Sequence, residues 1–197
     1  MSESLSDFGL RVARWHKIPD TVVASADQTQ AIHSAAKTYS TRAPLERTVE
    51  LTPNADNEWT LTAAITGYAD GWQVVGVLYE WGTGNLIPVS DNDWRVLRRG
   101  STDYLRVPCL PENTDGIWVE YTQPHVIGAT SGDTTIPVLD LDAVAKLAAA
   151  ECCGIAARAF SDEKSSTLTA DVVDYGGIAN SWHTREAELT AAYEKHM

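Results

Sequence analysis

The sequence predicts an α+β protein, in which helices from both ends of the chain form a helical bundle framework and a small antiparallel β-sheet or barrel is inserted between them. Two observations support this fold class. Apolar residues follow the helical period of about 3.6 in residues 1–47, alternate with a period of two in residues 48–122, and return to the helical period in residues 123–197. The 197 residues are 44% hydrophobic and 21% charged, which is enough apolar material to bury a core. We expect one compact domain with an insertion.

The N-terminal segment, residues 1–47, is predicted to contain one main helix. Ser25 and Gln28 have the spacing of a capping box, with Ser25 as the N-cap. The helix should extend to about Tyr39 and stop at Arg42-Ala43-Pro44, because the residue before a proline avoids the helical conformation. The pattern also allows a shorter helix over residues 8–15.

The inserted segment, residues 48–122, contains five short runs with strand character. They cover residues 59–65, 75–81, 86–89, 104–107 and 117–121. Residues 82–85, Gly-Thr-Gly-Asn, predict a hairpin turn between the second and third runs. These runs predict five or six strands in a small antiparallel sheet or barrel.

Five of the seven tryptophans lie in this inserted segment, at Trp59, Trp72, Trp81, Trp94 and Trp118. Trp59 and Trp81 fall on alternating apolar faces, which predicts that they are buried. An exposed row of indoles that stacks on sugar rings or on bases is the alternative.

The C-terminal segment, residues 123–197, predicts two helices. An alanine-rich helix covers Val144 to Ala159, preceded by Asp140 and Asp142, whose carboxylates complement the helix dipole. Residues 161–177 are predicted to be a connector. A final helix carries one stripe made of Ile178, Trp182, Arg185, Leu189, Ala192 and Tyr193.

The net negative charge of the chain disfavours anionic partners. The chain has 15 basic and 27 acidic residues, a formal net charge of -12, which disfavours broad binding to nucleic acid or to an anionic membrane. No apolar run approaches the roughly 20 residues of a membrane span, and the N-terminus lacks the pattern of a signal peptide. We expect no membrane association. Arg95, Arg98 and Arg99 form the one basic concentration of the insert. They could contact a phosphate, but in so acidic a chain we expect them to pair with carboxylates of this segment or of a neighbouring subunit.

The sequence contains none of the common catalytic, phosphate-binding or zinc-binding motifs. His125 could act as a base near Asp133, but a loop histidine beside a proline is more often a surface residue. Cys152 and Cys153 are adjacent on a predicted helix, where they cannot form a normal disulfide, and are expected to be small buried residues in a reducing compartment. We predict no catalytic residues, no cofactor and no metal site, and therefore a protein that is not an enzyme.

An ordered set of features in roughly the last 80 residues resembles the head-to-tail connector proteins of tailed bacteriophages, the adaptor or neck proteins that assemble beneath the portal. The set comprises residues 118–125 (WVEYTQPH), Ile136-Pro137, the alanine-rich helix of residues 144–159, Ser165-Ser166, residues 170–174 (ADVVD), and the final helix with Trp182, Arg185, Glu188, Leu189 and Tyr193. The N-terminal helix and the strand segment match this family only in order and type.

The resemblance implies a virion structural protein of the neck, made in the cytoplasm of the bacterial host. It implies an adaptor ring of twelve copies that binds the portal on one side and a stopper or tail protein on the other, and that surrounds the DNA channel without sequence-specific binding. It also implies a portal-docking role for the C-terminal helix, by position for Trp182, Arg185, Leu189, Tyr193 and Met197. The same stripe could instead pack on the protein's own core. Two alternative functions remain open. The protein could be another neck component, such as a stopper, or a tryptophan-rich carbohydrate-binding module.

Overall fold

The computed structural model describes residues 3–69, 72–82, 84–111, 114–163 and 175–197. The chain divides into two compact units: a helical unit, Met1–Ala43 with His125–Met197, and a strand unit, Pro44–Pro124. The α+β class with small antiparallel sheets is confirmed. The division lies a few residues outside the range 48–122 expected for the insert, because the first strand begins at Leu45 and pairs with a strand that ends at Gln123.

The helical unit begins with α1 (Leu5–His16) and α2 (Ser25–Arg42). The capping box predicted at Ser25 is wrong, because α2 begins one residue earlier than expected, with Ala24 in the N-cap position. Ser25 therefore already has helical backbone geometry and cannot cap the third amide of the helix. The Gln28 side chain instead donates a hydrogen bond to the carbonyl of Gly9 at 3.0 Å, which ties α2 to α1.

The other two described α-helices of this unit are α4 (Leu141–Glu163) and α5 (Tyr175–His196), and a short 3-10 helix covers Ser131–Asp133. Helix α4 packs against α1, α2 and α5. Its buried residues lie around most of its circumference, as the sequence predicted; they include Leu141, Ala143, Val144, Ala145, Ala148, Ala149, Ala150, Cys152, Cys153, Ala156 and Ala157. The predicted connector of residues 161–177 is helical at both of its ends, and its middle, residues 164–174, lies outside the described residues.

The strand unit contains seven described strands and one short helix. They are β1 (Leu45–Leu51), β2 (Glu58–Thr60), α3 (Leu61–Ala64), β3 (Gln73–Trp81), β4 (Leu86–Pro88), β5 (Arg95–Arg99), β6 (Thr102–Arg106) and β7 (Thr114–Gln123). Sheet 1 has the order β1-β7-β3-β4, and sheet 2 has the order β2-β6-β5. All pairings are antiparallel. One hydrophobic core receives side chains from both sheets and from α3.

The strand predicted for residues 59–65 is wrong after Thr60, where the chain enters α3. Leu61 and Ile65 are both buried, and the amide of Ile65 donates to the carbonyl of Leu61 at 2.8 Å. Residues four apart lie on the same side of a helical turn as well as on the same side of a strand, so the alternating pattern could not distinguish the two.

Strands β1 and β5 were not predicted. Both are edge strands, and most of their residues are exposed. An edge strand that buries few side chains shows little alternation of apolar and polar residues, so its sequence carries no clear period-two signal.

Candidate functional site

The stripe on α5 that was assigned to portal docking faces the core of the helical unit. Leu189 and Tyr193 are 3% and 1% exposed, and Trp182 is half-buried against the same core. Arg185 donates to the carbonyl of Trp15 at 3.2 Å. These contacts correspond to the alternative in which the stripe packs on the protein's own core.

Met197, the fifth residue assigned to portal docking, is 41% exposed. It follows the last residue of α5, and its amide donates to the carbonyl of Tyr193 at 3.1 Å. The docking role of the five residues stays a prediction, and Met197 has the largest exposed fraction among them.

The end of α5 is tied to the end of α2 and to the start of α4 by charged hydrogen bonds. Arg42 donates to both carboxylate oxygens of Glu194, at 2.6 and 2.7 Å. Nε2 of His196 lies 2.8 Å from one oxygen of Asp140, and the hydroxyl of Tyr39 donates to the other oxygen at 2.6 Å. We call these five residues the C-terminal clamp.

Asp140 is the centre of this clamp. Hydrogen bonds from Tyr39 and then from His196 lower the pKa of its carboxyl, because both bonds favour the charged form. Burial, followed by the hydrogen bond to Asp140, raises the pKa of the Tyr39 hydroxyl. The sequence assigned Asp140 to the helix dipole alone, and it could not show that residues from α2 and α5 meet there.

His125 is buried, so the expectation of a surface residue is wrong. Its amide donates to the hydroxyl of Ser40 at 2.7 Å, and its ring lies 5.1 Å from the ring of Tyr39. Asp133, the carboxylate that the sequence suggested as its partner, accepts a hydrogen bond from Thr130 at 2.6 Å. His125 is therefore part of the helical core, where it joins the loop that follows the strand unit to α2.

The two adjacent cysteines lie as the sequence predicted. Cys152 and Cys153 are free and fully buried, whereas Cys109 is free and exposed. Burial raises the pKa of Cys152 to about 12 and that of Cys153 to about 11, so neither thiol is reactive at neutral pH.

The arginines at 98 and 99 pair within their own segment, as predicted. Arg99 forms a two-point ion pair with Glu58, at 2.6 and 2.9 Å, and Arg98 lies 3.9 Å from Asp103. Arg95 lies directly opposite Arg106 in the pairing of β5 with β6.

The tryptophans of the strand unit mostly contribute to its core. Trp59 is buried, and Trp72 and Trp94 pack against the same core. Trp81 is 45% exposed, so the prediction of burial is wrong for this residue. The pairing of β3 with β7 shifts register between Val74 and Gly76 and again at Trp81, and such an irregularity moves a side chain off the alternating face. The described part of the chain shows no exposed row of indoles.

Within the described ranges, no group of three or more His, Cys, Asp or Glu side chains is arranged to hold a metal ion. No described helix is both long and apolar enough to cross a membrane.

No family model matches the chain, and no curated protein matches it. One solved structure contains a chain to which it is similar, described as the virion of a native gene transfer agent particle. The two chains are 16% identical, the match covers 90% of this chain and 87% of the other, and the TM-score is 0.32.

Proposed function

We propose that the protein is a virion structural protein without catalytic activity, acting as a head-to-tail adaptor. Copies of the protein form a ring between the portal and a stopper or tail protein, and DNA passes through this ring. The resemblance to connector proteins implies twelve copies per ring. The observation that carries the proposal is the architecture. Both ends of the chain build one helical unit and the strand unit is inserted between them, as the connector resemblance of residues 118–193 implies.

The charge of the chain supports a role around DNA rather than on it. With a formal net charge of -12, the protein repels the phosphate backbone and gains little from the release of counterions. A channel lined by such a protein lets DNA pass without holding it.

The exposed end of α5 supports docking through the last turn of the helix rather than through the whole stripe. Leu189 and Tyr193 are buried in the core, so a partner can reach them only if α5 separates from its own unit. Lys195 and Met197 are exposed without such a rearrangement, and we assign the portal contact to this end.

A portal-binding experiment tests the proposal. The wild-type protein is mixed with the assembled portal of the same genome, and the complex is examined by electron microscopy and by sedimentation. A closed ring seated directly on the portal is the expected result. Binding only when another neck protein is already in place would assign the protein to the stopper position, and the absence of any ring on the portal would contradict the proposal.

The docking contact is tested separately. A variant that combines Lys195→Glu with removal of Met197 should bind the portal at least about tenfold more weakly. Arg14→Glu, an exposed charge reversal on α1, is the matched control. The variant changes only the last exposed residues, because deleting residues 183–197 would also remove the buried core residues Leu189 and Tyr193. If the double variant binds as well as the control, the docking assignment is wrong.

A further inference from the structure

The two sheets of the strand unit carry opposite charges on the faces turned away from their common core. On sheet 1 this outer face carries four carboxylates, which we call the acidic face: Glu46, Glu50, Glu80 and Glu120. Val49 and Leu51, on either side of Glu50, and Val119, next to Glu120, belong to or pack against the core. Glu46 lies four residues before Glu50 on the same strand, and Glu80 lies three residues after the core residue Val77. Since side chains alternate along a strand, the carboxylates point away from it.

Two carboxylates of the acidic face, those of Glu50 and Glu80, lie close to each other. A Cβ atom on Gly116 would lie 3.2 Å from Oε1 of Glu50 and 3.4 Å from Oε2 of Glu80, so both groups converge over this glycine. Glu46, Glu50 and Glu120 are exposed. None of the four carboxylates forms an ion pair with any residue that the structure describes.

Sheet 2 carries the opposite charge on its outer face. Arg95, Arg99 and Arg106 lie on this side, which we call the basic face, because Leu105, between Tyr104 and Arg106, points into the core. The one carboxylate of the strands on this side, Glu58, is already bound by Arg99.

Arg95 and Arg106 are directly opposite each other in the register of β5 and β6. Side chains in this relation have Cβ atoms about 5 Å apart, and like charges there repel. Among described residues, neither arginine forms an ion pair. An anionic group placed over the pair would relieve the repulsion.

Apolar side chains accompany the charges on both faces. Leu78 and Trp118 are paired across β3 and β7 between the carboxylates, and both are only partly buried. Leu97, also partly buried, lies between Arg95 and Arg99 on β5. Each face therefore has an apolar centre with charges around it, which is the usual anatomy of a protein interface.

We propose that the acidic face of one copy docks on the basic face of the next copy. This inference rests on the proposed function, since it supplies the contact between neighbouring subunits of the ring. The two faces are different surfaces of the same unit, so the contact is heterologous, and a repeated heterologous contact closes into a ring when the rotation between copies permits it. Charge complementarity identifies a second copy as the occupant, because one chain presents both halves of the contact.

Charge-reversal variants test the contact. The acidic-face variant is Glu50→Lys with Glu120→Lys, and the basic-face variant is Arg95→Glu with Arg106→Glu. Asp91→Lys with Asp93→Lys, in the exposed loop between β4 and β5, is the control with the same charge change as the acidic-face variant. Circular dichroism establishes that each variant is folded, and light scattering with electron microscopy measures assembly, alone and on the portal.

We expect each face variant alone to need at least about tenfold more protein for half-assembly than the wild type, and the control to assemble normally. An equal mixture of the two face variants should recover rings, because each variant keeps one native face and their reversed faces are complementary. Rings that form equally well from either variant alone would overturn this inference while leaving the adaptor function intact. A wild type that forms no ring on the portal would overturn the adaptor function itself.

Discussion

Asp140, the residue before α4, lies 2.8 Å from the imidazole Nε2 of His196, the last residue of α5. The two residues are 56 positions apart in the sequence, and their contact holds the C-terminal end of the chain on the helical unit. The hydroxyl of Tyr39 donates to the second oxygen of Asp140 at 2.6 Å. The carboxylate therefore joins three helices through two hydrogen bonds.

Replacing Asp140 by asparagine tests this junction and predicts a pH dependence. The pKa of Asp140 is lower in the folded protein than in the unfolded chain. Its contribution is therefore present above the unfolded pKa of about 3.9 and is lost as the pH falls through the lower, folded pKa. We expect Asp140→Asn to reduce the free energy of unfolding by about 1–2 kcal/mol at neutral pH.

The measurement is urea unfolding of both proteins at several pH values. The difference between Asp140→Asn and the wild type should shrink below about pH 4. Asp91→Asn, in an exposed loop, should show no such difference. A loss of stability that is the same at every pH would mean that the charge of Asp140 is not what stabilises the junction.

Ser40→Ala should destabilise the helical unit by about 1–3 kcal/mol, because it leaves the buried amide of His125 without its acceptor. The Ser40 hydroxyl accepts from that amide at 2.7 Å and donates to the carbonyl of Ala36 at 2.6 Å. Thr41→Ala is the matched control, because Thr41 makes the same kind of bond within α2 but is exposed. Thermal unfolding of the two variants distinguishes them, and equal melting temperatures would contradict the prediction.

Two glycine-to-alanine substitutions should differ in their effect on stability. A Cβ at Gly128 would lie 3.1 Å from the backbone of Asp133, which cannot move without distorting the loop, so we expect a loss of about 1–3 kcal/mol. At Gly154 the nearest atoms belong to the end of the flexible Glu186 side chain. Alanine is also the better helix former there, so Gly154→Ala should be neutral or slightly stabilising in a denaturant titration. A larger loss of stability for Gly154→Ala than for Gly128→Ala would contradict these contacts.

The cysteines predict a simple labelling pattern. In the native protein a thiol reagent should modify Cys109 alone, because Cys152 and Cys153 are buried with raised pKa values. All three thiols should react after unfolding. Cys109→Ser should abolish labelling of the native protein, and rapid labelling that persists in this variant would show that α4 is accessible.

Leu189→Ala should destabilise the protein by about 2–5 kcal/mol, because it opens a cavity in the core of the helical unit. Leu139→Ala is the matched control, since Leu139 is 86% exposed and its truncation should change stability by less than about 0.5 kcal/mol. Calorimetry on both variants measures the difference. An unaffected melting temperature for Leu189→Ala would mean that α5 is not packed as described, and would return its stripe to the role of a free docking surface.

The sequence by itself determined the fold class, the succession of a helical, a strand and a second helical segment, and the buried character of α4. These depend on the period of apolar residues, which is a local property, and α4 is recognisable because its small apolar residues occur all round. The period of apolar residues could not distinguish a helical turn from a strand at residues 61–65, because both place Leu61 and Ile65 on the same side. It was also insufficient at β1 and β5, which bury few side chains.

The tertiary structure decided which side of each element meets which partner. The sequence could identify a stripe on α5, but only packing showed that Leu189 and Tyr193 are buried by the chain itself. Likewise, Glu50, Glu80 and Glu120 are far apart in the sequence, and so are Asp140 and His196. Their proximity depends on strand register and helix packing between distant segments, which no local pattern encodes. The acidic and basic faces and the C-terminal clamp were therefore visible only in the folded chain.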